Sequence, residues 1–393
     1  MRECQLECLT PPMGRSFSGP ERWGGEAMNF TFDEEQTALQ EIAQRSIESS
    51  IDHNLLAELA DSETGHSESL WKRFVELGWT GLLVPEDEGG AGAGLLETCI
   101  VLEQMGRIPV PGPFFSSAVM ATLAARTLGA DHLLRDLATG ARRGTVAIAE
   151  MGSGDLLGTV RTRARRKDAN WVVSGLKPLV VDGHTADWVI VVARSEEGIK
   201  SFILETADHP LEYVPTLDPT RKAARLVLDE THVTPLGPSG SHAALWQRIL
   251  DDVAIGLAAE SVGASDRALV EAIEYAKVRT VFDKEIASFQ VAKHKIVDMF
   301  QALEMARVGW QFAAWASDAE APERETSAAM AASYASEAGV LVTGGNIQLH
   351  GGVGFTWDNN AHYLFKRVKQ NEILWGGSGH ERQRLSRQLI ESA

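Results

Sequence analysis

The segment QLHGGVGFTW, Gln348 to Trp357, combines one polar side chain with the closely spaced glycines Gly351, Gly352 and Gly354. Glycines let a backbone come close to a ligand and present its N–H groups to an anion, as phosphate-binding loops do. Taken alone, the pattern is more typical of a turn that ends a helix, with Gln348 satisfying the helix end.

A second segment, YAKVRTVFDKEIASFQ, has residue types suited to a nucleotide. Arg279 offers a positive charge and a fork of donors to a pyrophosphate. Phe282 offers an aromatic face, and Gln290 can pair with the edge of a base or an amide. The structural alternative is a solvated arginine at a helix end beside a core phenylalanine.

A third segment, AIAEMGSGDL, runs from Ala147 to Leu156. Gly152 and Ser153 could expose main-chain donors to a cofactor, although a plain loop that leaves a strand has the same composition.

Three regions must position these residues. Helical patterning dominates from Phe32 to about Gly140, strand patterning from Thr145 to about Val233, and helical patterning again from Ser241 onward. The order is α–β–α without a βαβ unit, which excludes a Rossmann domain. We therefore predict domains at 28–140, 141–237 and 238–393, with residues 1–27 a disordered tail or a mis-annotated start.

Particular elements can be predicted within these regions. Asp33 before Glu34 and Gln36 indicates a helix start. Trp171–Val173, then Ser174–Gly175, then Leu179–Val181 predict a strand, a turn and a second strand.

Composition limits the classes of partner and compartment. The formal net charge of -17 argues against nucleic acid as the main partner, because phosphate backbones need clustered Lys and Arg. No apolar run reaches the roughly 18 residues of a membrane span. The three cysteines do not form a disulfide framework, and we predict no metal site and a cytoplasmic location.

Together with LGWTGLLVPEDEGGAG and VVSGLKPLVVDGHTADW, these segments resemble the acyl-CoA dehydrogenase family over nearly all of residues 28–393. The resemblance implies an α+β fold with an N-terminal helical domain, a central β-barrel and a C-terminal four-helix bundle. It also implies FAD as cofactor, an acyl-CoA substrate, an electron-transfer flavoprotein as acceptor, and a homo- or hetero-oligomer.

The resemblance also carries over a set of cofactor-binding positions. It places Arg279 at the FAD pyrophosphate, and Phe282 and Gln290 at the adenine half. The positions that would line the isoalloxazine are Ala147, Ala149, Gly152, Ser153 and Val181. Those that would reach the dinucleotide across a subunit interface are Gln348, Gly351 and Gly352. Ser378 is one further cofactor contact.

The catalytic base is where the chain departs from the family. Removing an α-proton from a thioester needs a carboxylate in contact with that carbon. The two usual base positions fall on Gly376 and on Thr280, the latter expected on the helix after Tyr275, and neither can accept the proton. The substitutes, all weak, are Glu372, Glu381, His380, Asp251 and Asp252, with a solvated helix surface the preferred interpretation of both glutamates.

Other departures agree with a missing base. The flavin-facing hydroxyls of the family fall on Ala149 and Val181, and Asp283 replaces a family glycine near the pyrophosphate. By contrast, DGHTAD and GGVGFTWDNNAHYLFKR are similar to the smaller subunits of heteromeric bacterial acyl-CoA dehydrogenases.

We therefore predict a FAD-dependent acyl-CoA dehydrogenase that works with a related catalytic subunit. The alternatives are a self-sufficient enzyme with a relocated base, a flavin monooxygenase on the same fold in which His380 takes part, and a non-catalytic structural subunit. Fatty, branched, aromatic and steroid side-chain thioesters all remain open as substrates.

Overall fold

The computed structural model describes residues 30–152, 154–374 and 376–391. The predictions for residues 1–27 and for Ser153 lie outside these ranges. Helices come first, strands second and helices last, as predicted, although the domain bounds themselves stay predictions.

The N-terminal region is helical. Its helices are α1 (Glu34–Ser50), α2 (His53–Asp61), α3 (Glu68–Glu76), α4 (Leu95–Arg107), α5 (Thr122–Thr127) and α6 (Leu134–Ala138), with a π-helical segment at Phe114–Ala121. The predicted start of α1 is confirmed, because the Asp33 side chain accepts from the Gln36 N–H while the Gln36 side chain accepts from the Asp33 N–H.

The middle region is rich in strands. They are β1 (Gly144–Ala147), β2 (Arg163–Lys167), β3 (Asn170–Val181), β4 (Trp188–Ser195), β5 (Gly198–Glu205), β6 (Glu212–Val214) and β7 (Ala223–Leu236). β1 lies parallel to β4, and antiparallel pairing then runs from β4 through β5, β7 and β3 to β2. β2 meets β4 again at Arg163 and Arg194, so the pairing closes on itself.

The predicted turn at Ser174–Gly175 is wrong, because β3 continues through it. The register with β7 shifts between Val173 and Gly175, which marks an irregularity within one strand. A Cβ on Gly175 would lie 2.5 Å from Thr162 Oγ1, so the glycine marks a close approach of two segments.

The C-terminal region returns to helix. It contains α7 (Ala243–Val278), α8 (Gln290–Asp318), α9 (Arg324–His350), α10 (Ala361–Leu374) and α11 (Gly377–Glu391), and a short hairpin of β8 (Thr280–Val281) and β9 (Lys284–Glu285) separates α7 from α8. α9 packs against α7, α8, α10 and α11, and α4 of the N-terminal region packs against α7.

The crossing of α4 and α7 brings two backbones into contact. A Cβ on Gly106 would lie 1.9 Å from the Glu260 carbonyl oxygen, and one on Gly263 would lie 1.7 Å from the Glu103 carbonyl oxygen. Any larger residue at either position would force the helices apart.

A buried ionic network joins the β-rich region to the C-terminal helices. Arg367 of α10 is 0% exposed and donates to Asp218 Oδ2 at 2.5 Å and to Glu260 Oε1 at 2.6 Å. Arg221 donates to the same Glu260 oxygen at 2.7 Å and to the Asn371 Oδ1 at 2.9 Å. These charges are paired and hydrogen-bonded, which is the condition for burying them.

Within the described ranges, no helix is both long and apolar enough to cross a membrane. In the same ranges, no group of three His, Cys, Asp or Glu residues could hold a metal ion.

Candidate functional site

The two strand ends predicted to line a flavin ring lie side by side. Ala147 ends β1 and Val181 ends β3. The Thr145 hydroxyl donates to the Val181 carbonyl oxygen at 2.6 Å, which ties the ends together. Neither Ala147 nor Val181 has a polar side-chain atom, so any hydrogen bond to a ligand here must come from the main chain.

A buried ion pair holds the segment that follows β1. The Lys177 ammonium is 0% exposed and donates to the Ile148 carbonyl oxygen at 3.2 Å and to Glu150 Oε1 at 2.6 Å. The Glu150 carboxylate also accepts from the Arg161 and Thr162 N–H groups. Burial lowers the pKa of Lys177 to about 8, against the opposing effect of Glu150. This pair was not predicted from the sequence, although a lysine amid the apolar residues of a strand was a signal.

Gly376, the first vacant base position, has no room for a side chain. Its φ is +101°, and a Cβ built on it would lie 2.4 Å from the Gly154 carbonyl oxygen. A Cβ on Gly154 would in turn lie 3.0 Å from the His380 Cβ. The segment after β1 is therefore packed directly onto the start of α11, and Gly152 lies in this segment as an exposed residue.

The second vacant base position lies elsewhere. The expectation that Thr280 continues a helix is wrong, because α7 ends at Val278 and Thr280 pairs with Glu285 in the hairpin. Phe282 and Asp283 form the tip, with φ values of 52° and 56°. A two-residue hairpin loop favours positive φ at both positions, and Asp tolerates that conformation in place of glycine.

Three of the substitute bases meet at one cleft beside Gly376. Asp251 of α7 and His380 and Glu381 of α11 line it together with Asp155 and Arg384. This cleft adjoins a second one that Glu372, Gly377 and Glu381 line. Their cavity volumes are about 30 Å³ and 20 Å³, room for a water molecule or two but not for a ring system.

Two carboxylates of the cleft, those of Asp251 and Glu381, are bound to arginine. Arg384 Nη1 lies 2.6 Å from Asp251 Oδ1 and 3.3 Å from Glu381 Oε2. Burial raises the pKa of Glu381, with the nearby Asp251 charge adding to the effect and Arg384 opposing it. Burial also raises the pKa of Asp251, again against Arg384. The Glu381 side chain is only 12% exposed, so the expected solvated surface role is wrong for this residue.

The other substitutes are engaged as well. The Asp252 carboxylate accepts from Ser317 and from Arg324, both at 2.6 Å. The Glu372 side chain is 19% exposed and pairs at 2.5 Å with Lys369, three residues earlier on the same helix. Burial lowers the pKa of His380, which keeps its ring neutral near pH 7.

The residues predicted to bind the dinucleotide are exposed and lie on two elements. Arg279, Phe282 and Gln290 lie on the hairpin and at the start of α8, and the Phe282 side chain is 87% exposed. Gln348, Gly351 and Gly352 lie at the end of α9 and are also exposed. Ser378, by contrast, is buried at the start of α11.

The predicted site residues therefore fall into two groups, one that fits part of FAD and one that does not. The exposed set offers a guanidinium, an aromatic face, two amides and open glycine backbone, which suits a dinucleotide lying on the surface. The clefts beside Gly376 do not fit an isoalloxazine ring in this arrangement, and Asp251, Glu372 and Glu381 are each held in an ion pair there.

Two family models match the chain: the N-terminal domain of acyl-CoA dehydrogenases over residues 33–138, and the C-terminal domain of the same enzymes over residues 239–390. The acyl-CoA dehydrogenase IpdE2 of Mycobacterium tuberculosis is 34% identical over 334 residues, which cover 84% of this chain and 90% of that protein. The IpdE2 of Mycolicibacterium smegmatis is 30% identical, over 91% of this chain and 99% of that protein.

Solved structures agree in fold. A variant of the Tcur3481–Tcur3483 steroid acyl-CoA dehydrogenase is 30% identical with a TM-score of 0.84, over 91% of this chain and 98% of that one. The ChsE4–ChsE5 complex of Mycobacterium tuberculosis is 27% identical with a TM-score of 0.84, over 93% of this chain and 99% of that one.

Proposed function

The chain belongs to the acyl-CoA dehydrogenase family, and from that premise we propose that it serves FAD-dependent α,β-dehydrogenation of an acyl-CoA thioester as one half of a two-chain assembly. A related partner subunit supplies the proton acceptor. The observation that carries this proposal is the contact between Gly376 and Gly154, which leaves no space for a carboxylate at the usual base position.

The remaining carboxylates support a base outside this chain. A base must contact the α-carbon of the thioester, and a carboxylate held in an ion pair with arginine is not positioned to do so. Asp251 and Glu381 share Arg384, and Asp252 is bound to Arg324. Thr280 offers only a hydroxyl on an exposed hairpin. In this arrangement none of them is free to take the α-proton.

The exposed nucleotide-type residues support a cofactor shared between chains. When bound, FAD accepts the hydride from the β-carbon. Arg279 would hold the pyrophosphate, Phe282 and Gln290 would hold the adenine half, and Gln348 would reach the same dinucleotide. In our proposal these side chains bind the tail of a flavin whose ring lies in the partner subunit, because the cleft beside Gly376 is too small for it.

Exposed apolar residues support the assembly itself. Phe282, Val291, Val297 and Phe300 are 87%, 76%, 59% and 55% exposed and lie within one stretch of the hairpin and α8. Large exposed apolar patches on a folded chain mark interaction surfaces. The ChsE4–ChsE5 structure is a complex of ChsE4 with ChsE5, which makes a related dehydrogenase subunit the expected partner. We propose that the β-rich region is a barrel and the C-terminal region a four-helix bundle, and that these two domains support the interface.

The substrate class follows from the relatives rather than from the pocket. The Tcur3481–Tcur3483 protein is a steroid acyl-CoA dehydrogenase. We therefore propose a steroid-derived acyl-CoA as the substrate to test first. The proposal also includes an electron-transfer flavoprotein as the electron acceptor and the cytoplasm as the location.

The test compares the chain alone with the chain co-expressed beside a related dehydrogenase subunit encoded next to it. Native mass, flavin absorbance per chain, and dye reduction with steroid-derived and straight-chain acyl-CoAs are measured for both preparations. We expect a yellow, active complex and a lone chain without turnover. A partner variant with its base glutamate changed to glutamine is the control and should abolish turnover. Full turnover by the lone chain would refute the proposal.

One alternative is favoured by a specific observation. The small volume of the clefts and the absence of side-chain donors at Ala149 and Val181 suit a purely structural subunit that touches no flavin. In that case Arg279→Ala in the complex leaves the flavin content unchanged. The flavin monooxygenase alternative stays a prediction, which oxygen consumption coupled to product hydroxylation would test.

A further inference from the structure

Asp182 is a buried acid at the junction of the N-terminal and β-rich regions. It follows the end of β3 and is 2% exposed, with a φ of 50°. Its N–H donates to the Lys222 carbonyl oxygen at 3.0 Å. Its Oδ2 lies 2.7 Å from the hydroxyl oxygen of Ser116, in the π-helical segment Phe114–Ala121. This contact joins the two regions directly.

The charges around Asp182 are already balanced. Arg367 and Arg221 are the nearby cations, and their guanidinium groups bind Asp218 and Glu260. Two positive charges therefore face two negative charges, before Asp182 is counted. Its own backbone partner Lys222 points its ammonium elsewhere, to the Ala60 carbonyl oxygen at 2.6 Å. An ionised Asp182 would be a third, uncompensated carboxylate, and burying such a charge is strongly unfavourable.

The hydrogen-bond geometry suits a protonated acid. The Ser116 hydroxyl has one hydrogen, and its oxygen lies 2.7 Å from Asp182 Oδ2 and 3.2 Å from the Pro113 carbonyl oxygen. A single hydrogen cannot serve both acceptors. If Asp182 carries a proton, it donates to the Ser116 oxygen, and the serine hydrogen is free for Pro113. The segment Phe114–Ala121 contains no charged residue that could replace this bond.

We propose that Asp182 is held as a neutral carboxylic acid near neutral pH, and that its ionisation weakens the contact between the N-terminal helical region and the β-rich region. Burial, acting against Ser116, Arg221 and Arg367, raises the pKa of Asp182 to about 7, in agreement with this geometry. The inference does not depend on the proposed function, because it rests on a contact within one chain. It places a pH-sensitive group directly after Val181, at the strand end predicted to face a flavin.

The direction of the pH effect follows from proton linkage. The folded chain keeps the proton up to about pH 7, whereas the unfolded chain loses it near pH 4. The stability that the neutral acid contributes is therefore complete below about pH 4 and is lost as the pH rises to 7. Between pH 5 and pH 8 the unfolding equilibrium constant should rise about a hundredfold from this group alone.

The test compares the wild-type chain with Asp182→Asn, which cannot ionise and tolerates the positive φ. Denaturant unfolding is measured from pH 5 to pH 8, together with hydrogen exchange of peptides that contain Ser116 and Asp182, corrected for intrinsic rates. We expect the wild type to lose stability relative to Asp182→Asn by about a hundredfold over this range. Its two junction peptides should open faster at pH 8 than those of the variant.

Two further variants complete the test. Ser116→Ala keeps the carboxyl group but lacks the hydroxyl, so it should retain the pH dependence that Asp182→Asn loses. If Asp182→Asn does not fold, Asp182→Gly replaces it, because glycine also suits the conformation. A constant difference in stability between wild type and either Asp182 variant from pH 5 to pH 8 would overturn the proposal.

Discussion

Replacing Gly376 by glutamate restores the family carboxylate in sequence but not in space. The new Cβ would lie 2.4 Å from the Gly154 carbonyl oxygen, about 1 Å inside an ordinary van der Waals contact. The residue would also have to adopt a φ of +101°, which costs roughly 1–3 kcal/mol for a side-chain-bearing residue. Overpacking adds about 1–3 kcal/mol. The sum predicts that Gly376→Glu destabilises the chain by roughly 2–6 kcal/mol.

The chain provides a matched control three residues away. Gly379 lies in α11, is exposed, and has no atom within 4 Å of an added Cβ. Gly379→Glu should be neutral or stabilise by about 0.5–1 kcal/mol, because glutamate is the better helix former. Both variants carry the same chemical change, so their difference isolates the crowding at Gly376.

The assay is thermal and denaturant unfolding of both variants, with dye reduction by acyl-CoAs measured on each chain alone. We expect Gly376→Glu to unfold several degrees below the wild type and to show no turnover, while Gly379→Glu unfolds like the wild type. If Gly376→Glu is as stable as the control and gains turnover by itself, the contact with Gly154 does not exclude a carboxylate, and our reasoning about the missing base fails.

Three further predictions follow from other parts of the molecule. Gly263→Val at the crossing of α4 and α7 should lower the free energy of unfolding by more than about 3 kcal/mol, because its Cβ would lie 1.7 Å from the Glu103 carbonyl oxygen. A drop in the denaturant midpoint no larger than that of a surface variant would contradict this. Arg367→Met should lower the free energy of unfolding in urea by about 3–5 kcal/mol, since it leaves two buried carboxylates with Arg221 alone. An unchanged urea midpoint would show that the network contributes nothing to stability. Arg279→Ala should lower the flavin content of the two-chain complex without changing the unfolding of the lone chain, because this side chain is exposed and has no ion-pair partner among the described residues.

The order of elements and several of their ends could be predicted from the sequence. Asp33 and Gln36 begin α1 through bonds between neighbours in sequence, and short-range bonds are what a local pattern encodes. The apolar residues Trp171–Val173 and Leu179–Val181 predicted strand for the same reason, and both stretches lie in β3. The turn at Gly175 was wrong because a glycine indicates either a turn or a close approach, and only the position of Thr162 shows which of the two it is.

The base positions illustrate the same division. The sequence showed that Gly376 and Thr280 cannot accept a proton, since this depends on residue type alone. It did not show that Glu381 is buried against Arg384, or that the Gly154 backbone fills the space beside Gly376. These contacts join residues far apart in the chain, so no local spacing encodes them.

By itself the sequence determined which chemical groups this protein has and in what order its helical and strand-rich regions occur, because periodicity and residue type are local properties. Tertiary structure alone decided which charges neutralise one another. Arg367, Glu260 and Asp218 come from three separate segments of the chain, and Asp182 faces Ser116 only after the N-terminal and β-rich regions have packed. Burial and distance set the energy of a charge, and neither quantity exists until the chain has folded.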